Sequence, residues 1–207
     1  FSPAPGDGRD EAAPPLLSTS TPERNGDETA EETDAVRARE ILAGMSLSEK
    51  VGQMFFVRCP ESGAVEKVSQ YAIGGYLLFA RDFEPHTADS MRDVIQDYQN
   101  EAKIPLFIGV DEEGGTVTRV SRFPQYRQSP FLSPQAPYQR DAWNAVIADT
   151  AEKAALLRHL GINVNFAPVC DVSTDSSDYM YDRSFGKGAE ETAQYVENVV
   201  GVMGEWN

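Results

Sequence analysis

An α/β fold with parallel strands, of the (β/α)8 TIM-barrel type and with about the first four β/α units present, is predicted by three observations. Short strands that are apolar throughout alternate with segments of helical periodicity. Strands with that composition are buried on both faces, which requires helices packed outside the sheet. No Gly-rich phosphate fingerprint follows the first strand, where a doubly wound nucleotide-binding sheet would often carry one. Polar and charged residues also cluster after the carboxyl ends of the third and fourth strands, where barrel enzymes build their sites.

The elements follow in order. Val36, Arg39, Ile41, Leu42 and Met45 mark a short helix. Ser46-Leu47-Ser48-Glu49 offers a capping box for the next one, a serine oxygen and the glutamate three residues on satisfying orphan amides. Met54–Val57 is the first strand, and Val65 and Val68 at helical spacing place a helix over Ser62–Tyr71. Ile73–Phe79 is the second strand. Thr87 caps a helix whose Met91, Val94, Ile95 and Tyr98 share one face. Pro105 leads into the third strand, Leu106–Val110, and a Pro-rich loop runs from Ser121 to about Tyr138. The helix Asp141–Leu160 ends at Gly161, which suits the left-handed position past a helix end. Ile162–Val169 is the fourth strand. A last helix, Glu190–Glu205, carries Thr192, Val196, Val199, Val200 and Met203 on one side.

Composition divides the chain. The first 34 residues hold nine acids, two arginines and few large apolar side chains, too few to offset chain entropy. Residues 1–33 are expected to be a disordered acidic tether, with 34–207 as the folded domain. Net charge is −15 without a basic stripe, which argues against nucleic acid and against an anionic membrane surface as partners. No apolar run reaches transmembrane length. The chain opens on Phe1 rather than Met and carries the acidic tether, from which a secreted or surface-anchored location is expected. Cys59 and Cys170 are either one disulfide or two isolated thiols, and their spacing fits no metal signature.

Three clusters could carry chemistry. Asp111-Glu112-Glu113-Gly114-Gly115-Thr116-Val117-Thr118-Arg119 follows the third strand, its glycines letting the backbone turn away sharply. A carboxylate there could accept two hydroxyl hydrogen bonds from a sugar diol, or the segment could be a solvated acidic loop. Asp171, at the end of the fourth strand, points into the same mouth or caps the next turn. Arg183, in Asp182-Arg183-Ser184-Phe185-Gly186, could clamp a substrate oxygen with its planar fork or pair with Asp171 or Asp182. Neither His86 nor His159 has a Ser or Cys partner in a recognisable frame, so a nucleophilic triad and a zinc site are unsupported.

Taken in order, Met45-Ser46-Leu47-Ser48-Glu49-Lys50-Val51-Gly52-Gln53-Met54, Gly74-Gly75, Asp111–Arg119, Ala167–Val172 and Asp182–Gly186 resemble the N-terminal domain of family 3 glycoside hydrolases. The acid-rich Asp111–Gly115 phrase is similar to the β-N-acetylglucosaminidase branch. The resemblance implies that Asp111 holds sugar hydroxyls, that Arg119 and Arg183 line the sugar site, and that Asp171 supports them. It also implies removal of terminal β-linked N-acetylglucosamine from cell-wall-type saccharides, by a retaining mechanism that needs no metal or other cofactor. The family's acid–base histidine lies in a KHFPGHG phrase after a fifth strand, and its aspartate nucleophile follows a seventh. Neither phrase occurs here. No catalytic group is therefore expected in this chain, which should be inactive alone. Ser176–Tyr181 also departs from the Asn-Pro and glycine that relatives often carry.

Two other readings stand beside this one. A non-catalytic half-barrel would act by self-association through its open sheet edges or by weak sugar binding. A different barrel enzyme would use Asp111, Glu113 and Asp171 as metal ligands.

Overall fold

The computed structural model describes residues 27–206, with side chains from Thr33 onward. Most of the expected tether, residues 1–26, lies outside the described residues. The chain forms two units, one ending at Gly44 and one running from Met45 to Asn207. In the first, helix α1 (Asp27–Gly44) begins inside the stretch expected to be tether. Val36, Ile41 and Leu42 are exposed along it.

In the second unit, helix α2 (Leu47–Gln53) opens with the expected capping box. The Glu49 amide donates to Ser46 Oγ at 3.2 Å, and the Ser46 amide donates to Glu49 Oε2 at 2.9 Å. Strand β1 (Phe56–Arg58) starts later than expected because Met54 still has helical backbone angles. Helix α3 (Ala64–Tyr71), strand β2 (Gly75–Leu78) and a short unanticipated helix α4 (Ala80–Phe83) follow. Thr87 caps helix α5 (Ala88–Glu101), and Met91, Ile95 and Tyr98 are its buried face.

Strand β3 (Phe107–Val110) leads through the acidic loop to helix α6 (Gln135–Leu160), which is broken at Asp141–Ala142 and stopped by left-handed Gly161. The expected helix Asp141–Leu160 is the part beyond that break. Strand β4 is only Val164–Asn165, because its partner β3 ends at Val110 and turns away into the acidic loop. Helix α7 (Ala189–Gly204) closes the unit.

The four strands are parallel, in the order β1-β2-β3-β4, with β1 and β4 at the edges. Tyr76, Leu78, Ile108 and Val110 point to the helix-covered face and are buried among α3, α5 and α6. The opposite face is where Phe56 lies against Phe166, ring centroids 5.2 Å apart. Its ring passes over Gly75 and Gly109, where a Cβ would stand 2.3 and 2.4 Å from it. Phe107 and Phe166 on this side remain exposed. A run of apolar residues along a strand thus marks two different surfaces.

Cys59 is buried and Cys170 exposed, and both are free thiols. Cys59 Sγ lies 3.6 Å from the Tyr98 hydroxyl, and burial pushes its thiol pKa up.

Candidate functional site

The loop after β3 doubles back on itself. Gly114 and Gly115 both take positive φ, 106° and 62°, which suits residues without Cβ. The Gly114 amide donates to the Val117 carbonyl at 3.1 Å, and the return donation is 3.3 Å. That reversal carries Arg119 back beside the strand end. Its Nη2 reaches Asp111 Oδ2 at 3.5 Å, with both side chains partly exposed. The eight-residue spacing of Asp111 and Arg119 therefore produces a carboxylate and a guanidinium side by side at a strand's carboxyl end.

Glu112 plays a different part. It is fully buried and accepts from the Arg119 amide at 2.8 Å, the Val120 amide at 2.7 Å and the Ser121 hydroxyl. Its backbone is also held by the Asn165 side-chain amide, which accepts from the Glu112 amide at 3.0 Å. A buried carboxylate with several donors is a structural tie, here between β3, β4 and the returning loop.

Glu113 is clasped by Arg183. Nε donates to Oε2 at 2.9 Å and Nη2 to Oε1 at 2.6 Å, a two-point pairing of fork to carboxylate. The Glu113 hydrogen bond is the first cause holding the Arg183 pKa above its usual value. Sequence had offered Asp171 or Asp182 as the ion-pair partner of Arg183; the partner is Glu113, because the loops after β3 and β4 converge. Phe185 anchors this loop. It stacks on Tyr195 with centroids 4.6 Å apart and planes 5° from parallel, and on Trp143 at 5.6 Å.

Beneath Glu113 sits Lys153, whose Nζ donates to the Glu113 carbonyl at 3.1 Å and lies 3.7 Å from Asp149. Burial pushes the Lys153 amine down and the Asp149 carboxyl up. Lys153 occupies the same buried stripe of α6 as Val146, Thr150, Leu157 and Leu160. A lysine at such a position is the signal that sequence reading passed over.

Asp171 is exposed, and among the described residues no hydrogen bond or ion pair holds it. The structure thus brings Asp111 and Arg119 together and joins Arg183 to them through neighbouring Glu113, while Asp171 is not tied in. Of the three carboxylates in the metal alternative, Glu113 is paired with Arg183 and Asp111 with Arg119, and among the described residues no group of three His, Cys, Asp or Glu side chains is placed to hold a metal ion.

Two further residues share the mouth. Arg58, the last residue of β1, lays its guanidinium over the Phe79 ring at 4.7 Å, and Arg119 lies over the same ring at 5.5 Å. Phe79 directly follows β2. Both stand at strand carboxyl ends, the rule that singled out Asp111, and could have been found by applying it to every strand.

The glycosyl hydrolase family 3 N terminal domain matches residues 46–205 of the chain. Beta-hexosaminidase A of Pseudoalteromonas piscicida is 35% identical over 129 residues, covering 59% of this chain and 21% of that protein. A beta-hexosaminidase of Pasteurella multocida is 36% identical over 134 residues, covering 62% of this chain and 36% of that protein. The chain thus spans about a fifth to a third of the length of these curated relatives. Among solved structures, a family 3 glycosyl hydrolase of Mycobacterium smegmatis matches with a TM-score of 0.68 at 24% identity, over 80% of this chain and 49% of that one. A family 3 β-N-acetylglucosaminidase of Paenibacillus matches with a TM-score of 0.68 at 24% identity, over 79% of this chain and 32% of that one. These likenesses show the fold, a partial TIM-type barrel.

Proposed function

The chain belongs to the glycosyl hydrolase family 3 N-terminal domain family, and from that premise we propose that it is the sugar-holding part of a β-N-acetylhexosaminidase. In this proposal terminal β-linked N-acetylglucosamine sits at the mouth, with Asp111 accepting from adjacent hydroxyls while Arg119 and Arg183 donate. The observation that carries it is the Asp111–Arg119 pair beside the Glu113–Arg183 clasp, at the carboxyl ends of parallel strands. Carboxylate and guanidinium together can both accept from and donate to a sugar.

We further propose that the 207 residues hold this sugar without cleaving it. A retaining hydrolase needs one carboxylate to attack the anomeric carbon and another acid to protonate the leaving oxygen. Glu112 is engaged by three donors and Glu113 is clasped by Arg183, so neither is free to attack. Asp111 is then left to hold hydroxyls.

The experiment is twofold. The purified chain, its length confirmed by intact mass, should release no chromophore from an aryl N-acetyl-β-glucosaminide. It should bind N,N′-diacetylchitobiose in ligand-observed NMR, and Asp111→Ala should weaken that binding about tenfold. Turnover that follows the 207-residue species would overturn the non-cleaving part. Binding indifferent to Asp111 would overturn the site.

A second reading is favoured by the exposed Phe107 and Phe166 and by the edge strands β1 and β4. In it two copies associate through these edges. Sedimentation velocity would give a dimer mass if so, and a monomer mass otherwise.

A further inference from the structure

Lys153 is the charged member of the buried stripe of α6, set among Val146, Thr150, Leu157 and Leu160. Burying an ammonium costs free energy, and an apolar side chain of the same length would suit such a stripe at least as well. What the ammonium does is hold one peptide. Its Nζ donates to the Glu113 carbonyl at 3.1 Å, lies 3.7 Å from Asp149 and stands 5.0 Å from the centre of the Phe131 ring.

That carbonyl belongs to the peptide joining Glu113 to Gly114. The amide of the same peptide donates to the Val117 carbonyl at 3.1 Å. Gly114 and Gly115 both have positive φ, and without Cβ atoms they offer little resistance to turning this peptide over. Its orientation is therefore set by the two partners, Lys153 and Val117. Much of the sugar site hangs on it. Asp111 lies two residues before, the Glu113 side chain holds Arg183, and Arg119 returns to Asp111 through the turn that starts here.

The charges around Lys153 come from three elements. On α6 Asp149 lies one turn away, and Arg127, Glu152 and Arg140 act on it in turn. From the loop after β3, Glu112 acts on Lys153 as an opposite charge and Arg127 as a like one. The Glu113 carboxylate is taken by Arg183. On α7 Tyr195 lines the same small cavity, and burial raises the pKa of its hydroxyl. Burial is the largest influence on Lys153 and lowers its pKa, with Asp149 and then Glu112 opposing it.

We infer that Lys153 is a positioning residue for the sugar site, its ammonium fixing the Glu113–Gly114 peptide and through it the Glu113–Arg183 clasp and the return of Arg119 to Asp111. This rests on the sugar site proposed above and deepens it. Loss of the proton leaves a weaker donor without its ion pair, and the glycine turn is then free to open.

The test follows Lys153 and the sugar together. The Lys153 Cε signal and the affinity for N,N′-diacetylchitobiose are read by NMR on the whole chain as pH is raised from 6 to 10.5. Lys153 should lose its proton below the ordinary 10.5, and affinity should fall about tenfold through the same midpoint. Asp149→Asn removes the larger opposing charge, so both midpoints should move together to lower pH. Lys153→Met, which keeps the length but not the donor, should bind about tenfold more weakly at pH 7 and lose the alkaline fall.

A lysine that served stability alone would behave differently. Its pKa is lowered on folding, so between the folded midpoint and 10.5 the unfolded chain binds the proton and the folded chain does not. The stability that this group contributes therefore rises with pH over that window. Affinity that falls while stability, in urea unfolding against Lys153→Met, shifts in favour of the unaltered chain is the mark of positioning. A Lys153 that titrates without a change in affinity overturns the inference alone, as does one still charged at pH 10.5. So does a folded Lys153→Met chain that binds within about twofold of the unaltered one. If Lys153→Met does not fold, the profiles of the unaltered chain and of Asp149→Asn decide, and midpoints that fail to move together overturn it. Binding of chitobiose at no pH overturns the sugar site and this inference together.

Discussion

The two faces of the four-stranded sheet are built from similar residues and end in opposite conditions. On the helix side Tyr76, Leu78, Ile108 and Val110 are almost wholly out of water, enclosed by α3, α5 and α6. On the other side Phe107 is 61% exposed and Phe166 46% exposed. The first face carries the stability of the unit. The second contributes little, although its Phe56–Phe166 contact and the glycines beneath it show a surface shaped for close packing. Burial gives an apolar side chain its stabilising value, and residue type alone does not.

The mouth repeats the contrast in polar form. Glu112 is buried and fully answered, while Asp111 one residue earlier stays partly exposed beside Arg119. Adjacent residues in an extended segment point to opposite sides. One side therefore ties the loop down, and the other faces the opening.

Four measurements would break or sharpen this comparison. The largest effect is expected from Glu112→Ala, which strands two backbone amides and the Ser121 hydroxyl without an acceptor. It should cost about 4 kcal/mol in urea unfolding. A loss under about 1 kcal/mol would mean that water replaces the carboxylate and that Glu112 is no tie. Leu78→Ala on the covered face should cost about 3 kcal/mol through lost burial and a cavity. Phe107→Ala on the open face should cost under about 1 kcal/mol. Equal losses would show that something covers the open face in solution, and would point to association between copies.

The smallest effect concerns the cap of α2. The hydrogen bond from Lys103 and then those from Ser46 hold the Glu49 carboxyl at about 2, against an ordinary 4.5. Because the pKa is lowered on folding, the stabilisation is fully present above about 4.5 and fades as pH falls towards about 2. Lys103→Ala should raise the Glu49 titration midpoint seen by NMR. An unmoved midpoint would assign the whole shift to the capping serine.

Much of the fold was legible because its signals are local. Ser46 with Glu49, Thr87 at the head of α5 and Gly161 behind α6 each act within a turn of their own position. The buried faces of α5 and the later part of α6 follow from apolar spacing at the helical period. The sharp turn after Asp111 was legible too, from its two glycines, whereas the pairing of Asp111 with Arg119 came from the folded loop.

What only the tertiary structure decided are the pairings between distant segments. Arg183 meets Glu113, and Asn165 meets Glu112, because the loops after β3 and β4 converge above neighbouring strands. Lys153 reaches the Glu113 carbonyl only because α6 packs beneath that loop. The short β4 reflects the point where β3 leaves the sheet. Sequence by itself determined the alternation of strands and helices, their caps and the glycine turn, since each depends on hydrogen bonds and spacing within a few residues. Which carboxylate became a buried tie, which a clasp and which stayed open was settled by the packing of loops against strands, because charge placement costs free energy according to the water each group loses.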